Sequence, residues 1–288
     1  MKVKLINKKF IKSIEIIPSR YKIDNLLLDK ILKYNKSFDF LDIACTPMAN
    51  LRISPLSFAH GLIMKGIKPN KLIINFSTRD KNTLALQSEI LGALSMKVNK
   101  LLLIKGDKIN IGNSKKSKEV FEINTNELIS LVNKLNSGKD YSNNSLGYKT
   151  DFLIGSTLNI DLPFKKIEKN LIKRNNIGSN FFITQPLYSE LDFINLSKLS
   201  ALSSNKILAG IFPIKNKKTF KNLNNKINGI NKDNSLFKEL KKTKEEDYLK
   251  ISTEYLIDLL IKYKKNLDGI HIMTAGDIKL ASQISSKI

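Results

Sequence analysis

LIINFSTRDKNTLALQSEILGALSMKVNKLLLIKGD, residues 72–107, decides the fold. It opens with an apolar run, Leu72 to Phe76, and breaks into a polar segment from Ser77 to Asn82. A helical pattern follows, with Leu84, Leu86, Ile90, Leu91 and Leu94 apolar. A second apolar run, Leu101 to Ile104, stops at Lys105-Gly106-Asp107. The order is strand, loop, helix, strand, with polar residues at the C-terminal end of each strand. In a parallel α/β sheet those ends are where ligands bind. Asp107 is therefore a candidate site residue as well as a candidate cap for the next turn.

The same unit repeats in both directions. Toward the N-terminus, Ser13–Ile17 and Phe38–Ala44 read as strands, separated by a helical pattern over Ile23–Leu32 with Ile23, Leu26, Leu27 and Ile31 on one face. Ser54-Pro55 starts a helix that runs to about Lys65 and ends at Gly66. Toward the C-terminus, strands are expected at Asp151–Ser156, Asn180–Thr184, Ile207–Ile211 and Gly269–Met273. Helices are expected at Thr125–Leu135 with Thr125 or Asn126 as cap, from Pro163, over Tyr188–Leu202, over Tyr248–Tyr263 and over Ile278–Ile288. Residues 217–247 are helical in patches and heavily charged, with a break at Asn228-Gly229. Eight strands alternating with helices in 288 residues predict one (β/α)₈ barrel over residues 1–288, with no linker or repeat that marks a second domain.

Composition narrows the function classes. The apolar fraction of 42% supports a sizeable core, and no apolar run reaches the roughly 20 residues of a membrane span. The N-terminal MKVKLINKKFIKSIEI lacks the apolar stretch and cleavage site of a secretory signal, so a cytoplasmic protein is expected. Cys45 is the single cysteine, which excludes an internal disulfide and a cysteine-based zinc cluster. The net charge of +23 is spread along the whole chain as lysine, without an Arg-rich block or a nucleic-acid-binding motif. It reads as a lysine-biased surface that attracts anionic ligands, not as a nucleic-acid footprint. GxGxxG after a first strand, a Walker loop and HExxH are all missing, and two histidines, His60 and His271, leave no His-based triad or His-rich metal site.

Two residues and one helix face stand out for chemistry. Glu15 lies inside an apolar strand, where a carboxylate must be solvated, paired or protonated. Gln185 follows a strand end and offers a donor and an acceptor to a heterocycle edge, or caps its own loop. The helix after Pro163 carries Lys166, Lys169, Asn170 and Lys173 on one face, which suits phosphates or plain solvation.

Taken together, EIIPSR (15–20), PMANLRISPLSFA (47–59), STRDKNTLALQSEILGA (77–93), KGD (105–107), IGSTLN (154–159), FFITQP (181–186), GIFPI (210–214) and GIHIM (269–273) resemble the methylenetetrahydrofolate reductase family over nearly the whole chain. The resemblance implies a (β/α)₈ barrel with FAD at the C-terminal face, reducing 5,10-methylenetetrahydrofolate to 5-methyltetrahydrofolate for methionine synthesis. It implies Glu15 as proton donor, Asp107 as the charge beside flavin and pterin, and Gln185 as the folate-ring contact. It places flavin against Asn75, Lys105, Gly106, Asp107, Leu158, Asn159, Asn170, Lys173 and Arg174. Three positions depart from the family pattern: Asn75 stands where His is frequent, Ser19 where the family has Pro, and Ala44-Cys45-Thr46 in the loop after the second strand. The electron donor (NADH, NADPH or a protein) and the formation of a homo-oligomer stay open. A pterin methyltransferase subunit, a partner-dependent reductase and a non-catalytic flavin- or folate-binding relative are the alternative readings.

Overall fold

The computed structural model describes residues 8–226, 230 and 232–288. The expected break at Asn228-Gly229 and the reading of the first seven residues lie outside them. Eight parallel strands close into a barrel in chain order. They are β1 (Ile11–Ile16), β2 (Phe40–Ile43), β3 (Leu72–Ser77), β4 (Lys100–Ile104), β5 (Leu153–Leu158), β6 (Phe181–Pro186), β7 (Lys206–Ile211) and β8 (Gly269–Ile272). Pairing of Ile11 with Gly269 and of Ser13 with His271 joins the first strand to the last. The surrounding helices are α1 (Asn25–Tyr34), α2 (Pro55–Met64), α3 (Thr83–Ser95), α4 (Thr125–Asn136), α5 (Phe164–Asn176), α6 (Glu190–Leu202), α7 (Lys217–Lys226), α8 (Ser235–Leu240), α9 (Tyr248–Tyr263) and α10 (Ile278–Lys287).

Strand alternation sorts the residues into two cores. Ile14, Ile16, Leu41, Ile43, Ile74, Phe76, Leu101 and Leu103 point outward and pack under the helices. Ile11, Phe40, Ile73, Leu102, Phe181, Ile183 and Leu208 point inward and fill the barrel as a separate cluster. Gly155 belongs to this inner packing, because a Cβ there would sit 2.2 Å from the Phe181 ring. The interior is thus sealed at its lower layers, and ligand space remains only where the inward residues turn polar.

Local chemistry explains where the helix boundaries differ from expectation. α1 begins at Asn25 because Asp24 accepts from the Leu26 and Leu27 amides, so Ile23 falls outside it. Leu28 and Ile31 are its buried residues, while Leu26 is 82% exposed. α4 is capped by Asn124, not Thr125 or Asn126, in a reciprocal pair with Glu127. Ser189 and Asp192 make the same box at the start of α6, which leaves Tyr188 in the preceding loop. β5 runs on through Thr157 and Leu158, residues whose polar neighbours suggested a loop. Ser54 precedes α2 as expected, although its side chain makes no capping hydrogen bond.

Candidate active site

The C-terminal mouth of the barrel encloses about 290 Å³. Its lining includes Glu15 from β1, Asp42 from β2, Asn75 from β3, Lys105, Gly106 and Asp107 after β4, Thr157 from β5, Gln185 from β6, and His271 from β8. An open groove of about 830 Å³ lies at the opposite rim, near Lys206, Lys264 and Asp268. The mouth is smaller, but it holds the convergent polar groups that mark a site in this architecture.

Glu15 and Asp42 are register partners on adjacent strands, so both carboxyl groups face the same interior layer. Burial first, and then the charge of Asp107, raise the Glu15 pKa to about 7. Burial and the neighbouring Glu15 push Asp42 well above the usual carboxylate range, against an opposing hydrogen bond from Asn75. His271 is driven the other way, to about 3, by burial, and is therefore neutral. Its Nδ1 lies 2.7 Å from Ser13 Oγ and its Nε2 3.6 Å from Asp42 Oδ2. The floor of the mouth thus holds a neutral histidine and two carboxyl groups pushed toward their protonated forms. Two of its acceptors, Asp42 Oδ1 and Asn75 Oδ1, are buried without a hydrogen-bond partner. Such orphans are costly in a finished core and natural where a ligand donates to them.

The rim over β2–β4 is built around one guanidinium. Arg79, 1% exposed, pairs with Asp80 through Nε at 2.6 Å and Nη2 at 2.7 Å. It also donates to the Asp107 carbonyl at 3.0 Å and to Thr46. The Asp107 carboxylate accepts from the Met48 amide at 2.7 Å. Between these anchors Thr46, Met48 and Ala49 all take left-handed φ values, 38°, 53° and 52°. Strain of this kind persists where surrounding contacts over-determine it. Gly106 completes the rim at φ +85°, with Ser77 Oγ so near that a Cβ would lie 2.2 Å from it. Ser77 and Thr78 hydroxyls donate to the Lys105 carbonyl at 3.1 and 3.2 Å. Across the mouth, a register shift between Ile183 and Pro186 re-aims the end of β6. Thr184 Oγ1 accepts from the Gly210 amide there and donates to the Gln185 carbonyl, both at 2.8 Å, leaving the Gln185 amide group for the mouth.

Of the residues singled out in the sequence, Glu15, Asn75, Lys105, Gly106, Asp107 and Gln185 converge on this one space. Leu158 packs outward in the helix-facing core, and Asn159 accepts from the Asp161 amide. Asn170 and Lys173 are exposed on α5, and Arg174 turns to the Thr157 carbonyl. His60 is exposed on α2, away from the site. Asp42 was not singled out, although the signal was the one that marked Glu15: an acid inside an apolar strand. His271 had no signal beyond its strand. Cys45 lies in the lining, and its buried thiol is held above its usual pKa, mainly by burial.

A closed parallel barrel with its polar cluster at the strand C-termini defines a (β/α)₈ protein with a polar-lined cavity in the mouth. The chain belongs to the methylenetetrahydrofolate reductase family, whose model matches residues 2–288. No curated protein sequence matches it. Among solved structures it is similar to an uncharacterised Clostridium thermocellum protein that binds two copies of 5-methyl-5,6,7,8-tetrahydrofolic acid. That match has a TM-score of 0.64 at 15% identity and covers 99% of this chain and 98% of that one. A mutant tryptophan synthase α-subunit from Pyrococcus furiosus matches with a TM-score of 0.53 at 9% identity, covering 96% of both chains. EDTA monooxygenase from Chelativorans sp. BNC1 matches with a TM-score of 0.54 at 10% identity, covering 96% and 93%. At these identities the structural likenesses speak for the barrel alone. Among the described residues no helix is long and apolar enough to cross a membrane.

Proposed function

We propose that the chain is a flavin-dependent reductase that converts 5,10-methylenetetrahydrofolate to 5-methyltetrahydrofolate. The observation that carries this reading is a half-buried glutamate, its pKa raised to about 7, that shares the mouth with an aspartate and a glutamine amide. Family membership supports it, as does the folate bound by the Clostridium protein.

The residues fit a flavin at its ring end. The unpartnered Asn75 Oδ1 and the Lys105–Asp107 segment would hold the ring, while the basic residues of α5 that the resemblance gives to the rest of the cofactor are exposed and do not line the mouth. When bound, reduced FAD supplies hydride. Glu15 contributes the proton. Opening the five-membered ring of the substrate leaves a nitrogen that must be protonated as the bond to the bridging carbon breaks. A carboxyl group of pKa about 7 is protonated in a large fraction of molecules near neutrality and can still ionise. Asp107 stabilises the cationic carbon that ring opening creates, and the same negative charge helps keep Glu15 protonated. Gln185 presents both a donor and an acceptor to the pterin edge.

The test is an anaerobic titration of the purified protein, reconstituted with FAD and reduced with dithionite. Flavin absorbance that bleaches on reduction and returns on adding methylenetetrahydrofolate is the expected result. Flavin that stays reduced would rule out this substrate. The exposed placement of Asn170 and Lys173 favours a second reading, a folate-binding protein without flavin. Failure to retain FAD after reconstitution, with tight binding of 5-methyltetrahydrofolate, would select it.

A further inference from the structure

Two acids are buried among the described residues, Asp42 and Asp192. The burial of Asp192 has a visible cause, because its Oδ2 accepts from the Tyr188 and Ser189 amides at 3.1 and 2.9 Å at the head of α6. Asp42 has no such anchor. Its Oδ1 is buried without a hydrogen-bond partner, and its Oδ2 lies 3.6 Å from His271 Nε2, beyond hydrogen-bond reach. Among the described residues no lysine or arginine pairs with it, in a chain that has 49 of them. The cations of the neighbouring rim are turned elsewhere: Arg79 forks onto Asp80, and the Lys105 ammonium lies 5.4 Å from the centre of the Phe121 ring.

The fold does not ask for an acid at this position. Asp42 is the register partner of Ile73, and Phe40 precedes it on the same face of β2. Both neighbours belong to the inner apolar cluster. An apolar side chain at 42 would extend that layer and leave no polar atom unpaired. Asn75 sits against the Asp42 carboxyl, close enough to hydrogen-bond it, and its own Oδ1 is unpartnered. Of the unpartnered buried side-chain atoms among the described residues, these two oxygens alone belong to residues that line the mouth. Both are acceptors. Burial first, then Glu15, raise the Asp42 pKa, so the carboxyl offers its free oxygen without a charge. His271 is neutral and has its Nδ1 engaged by Ser13, which leaves Nε2 to face a proton on Asp42 Oδ2.

We propose that Asp42 is a recognition residue: its Oδ1, with Asn75 Oδ1 beside it, accepts N–H donors from the edge of the ring that enters the mouth. The carboxyl does this as a neutral group. The ligand class it fits is a planar heterocycle with N–H groups on that edge. The identity of the ring rests on the flavin-reductase reading. Oxidised flavin carries one ring N–H and the reduced ring carries more, so a pair of acceptors favours the reduced form.

Three variants test it. D42L and D42A remove the acceptor, whereas D42N keeps an oxygen for the ligand and turns an amide N–H toward His271 Nε2. Thermal unfolding without ligand comes first. At least one of D42L and D42A should unfold at or above the wild-type midpoint, because an unpaired buried oxygen has been removed. A clear fall in both would make Asp42 a structural acid and overturn the proposal. The proteins reconstituted with FAD are then compared by spectroelectrochemistry. The acceptor-free variants should hold reduced FAD roughly tenfold less well relative to oxidised FAD. For a two-electron couple that lowers the midpoint potential by about 30 mV. D42N should stay close to wild type. An unchanged potential in all three variants overturns the proposal, and so does a loss in D42N equal to that in D42L, since charge and not an acceptor would then be what counts. If wild type retains no FAD, the flavin reading fails by itself, and dissociation constants for 5-methyltetrahydrofolate become the readout. A roughly tenfold weakening in the acceptor-free variants alone supports the recognition role, and equal affinity throughout overturns it. If wild type binds neither ligand, the unfolding midpoints alone decide.

Discussion

Glu15 carries the most specific expectations at the residue scale. Its carboxyl is protonated below about pH 7, so turnover limited by proton delivery should fall as pH rises through that value. E15Q should leave flavin bound and reducible while lowering folate reduction by a factor of roughly 100 or more. Normal turnover by E15Q would remove Glu15 from the reaction. Stability gives an independent readout. The folded-state pKa of about 7 lies above the ordinary 4.5, so the unfolded chain ionises first as pH rises. Glu15's contribution is full below about pH 4.5 and is lost between there and about pH 7. The gap corresponds to a ceiling of roughly 3 kcal/mol. E15Q should therefore be more stable than wild type at pH 8, and the two should converge at pH 4, as followed by urea unfolding. His271 has the opposite sign. Its lowered pKa costs stability as pH falls below 6.5, in both proteins alike. Glu15 was legible in the sequence because an acid among SIEII has few structural excuses. Asp42 was less so, since Phe40 and Asp42 share one face of β2 while Asp39 and Leu41 share the other, and alternation alone does not say which face is inward.

At the scale of elements, strand ends were easier to read than the loops that join them. Gly, Pro and polar breaks mark where a strand stops, but the contacts that shape a loop come from distant sequence. The Met48 amide meets Asp107, 59 positions away, and Arg79 braces Thr46 from 33 positions away. Neither pairing has a local signature. The same holds for α5, where helical spacing reveals a basic face but not which strand end Arg174 turns toward. Arg79 is the test of this rim. R79K keeps the charge and loses the fork, leaving Asp80 and two carbonyls without donors. It should cost roughly 2–4 kcal/mol, read as a fall in the thermal midpoint, with proteolytic cleavage appearing in residues 45–50. An unchanged midpoint would mean that the left-handed segment holds itself. G106A should be as damaging by a different route, since Ala must adopt φ +85° and its Cβ meets Ser77 Oγ. Ligand binding should be lost in G106A, and S77A/G106A should recover part of the stability by clearing the contact.

The barrel as a whole was the most legible level, because it rests on a pattern repeated eight times and not on any single boundary. Errors of two residues at Ile23, Tyr188 or Leu158 leave the alternation of strand and helix intact. Net charge is a property of that same scale, and it sets the final expectation. The chain carries +23, and several of its acids are already spent on caps and on pairs such as Lys206–Asp268 and Lys262–Glu190. The uncompensated lysines repel one another across the surface in the folded state more than in the expanded chain. Screening shortens from about 30 Å at 0.01 M salt to about 8 Å at 0.15 M, so most of this repulsion should vanish over that range. The thermal midpoint should rise by a few degrees between those concentrations in sodium chloride. The charge-reversed K279E/K287E, altered at two exposed positions of α10, should show a higher midpoint than wild type at low salt and a smaller advantage at high salt. A midpoint that falls with salt in wild type would mean that attractive pairs outweigh the net charge, and the lysine surface would then be a source of stability.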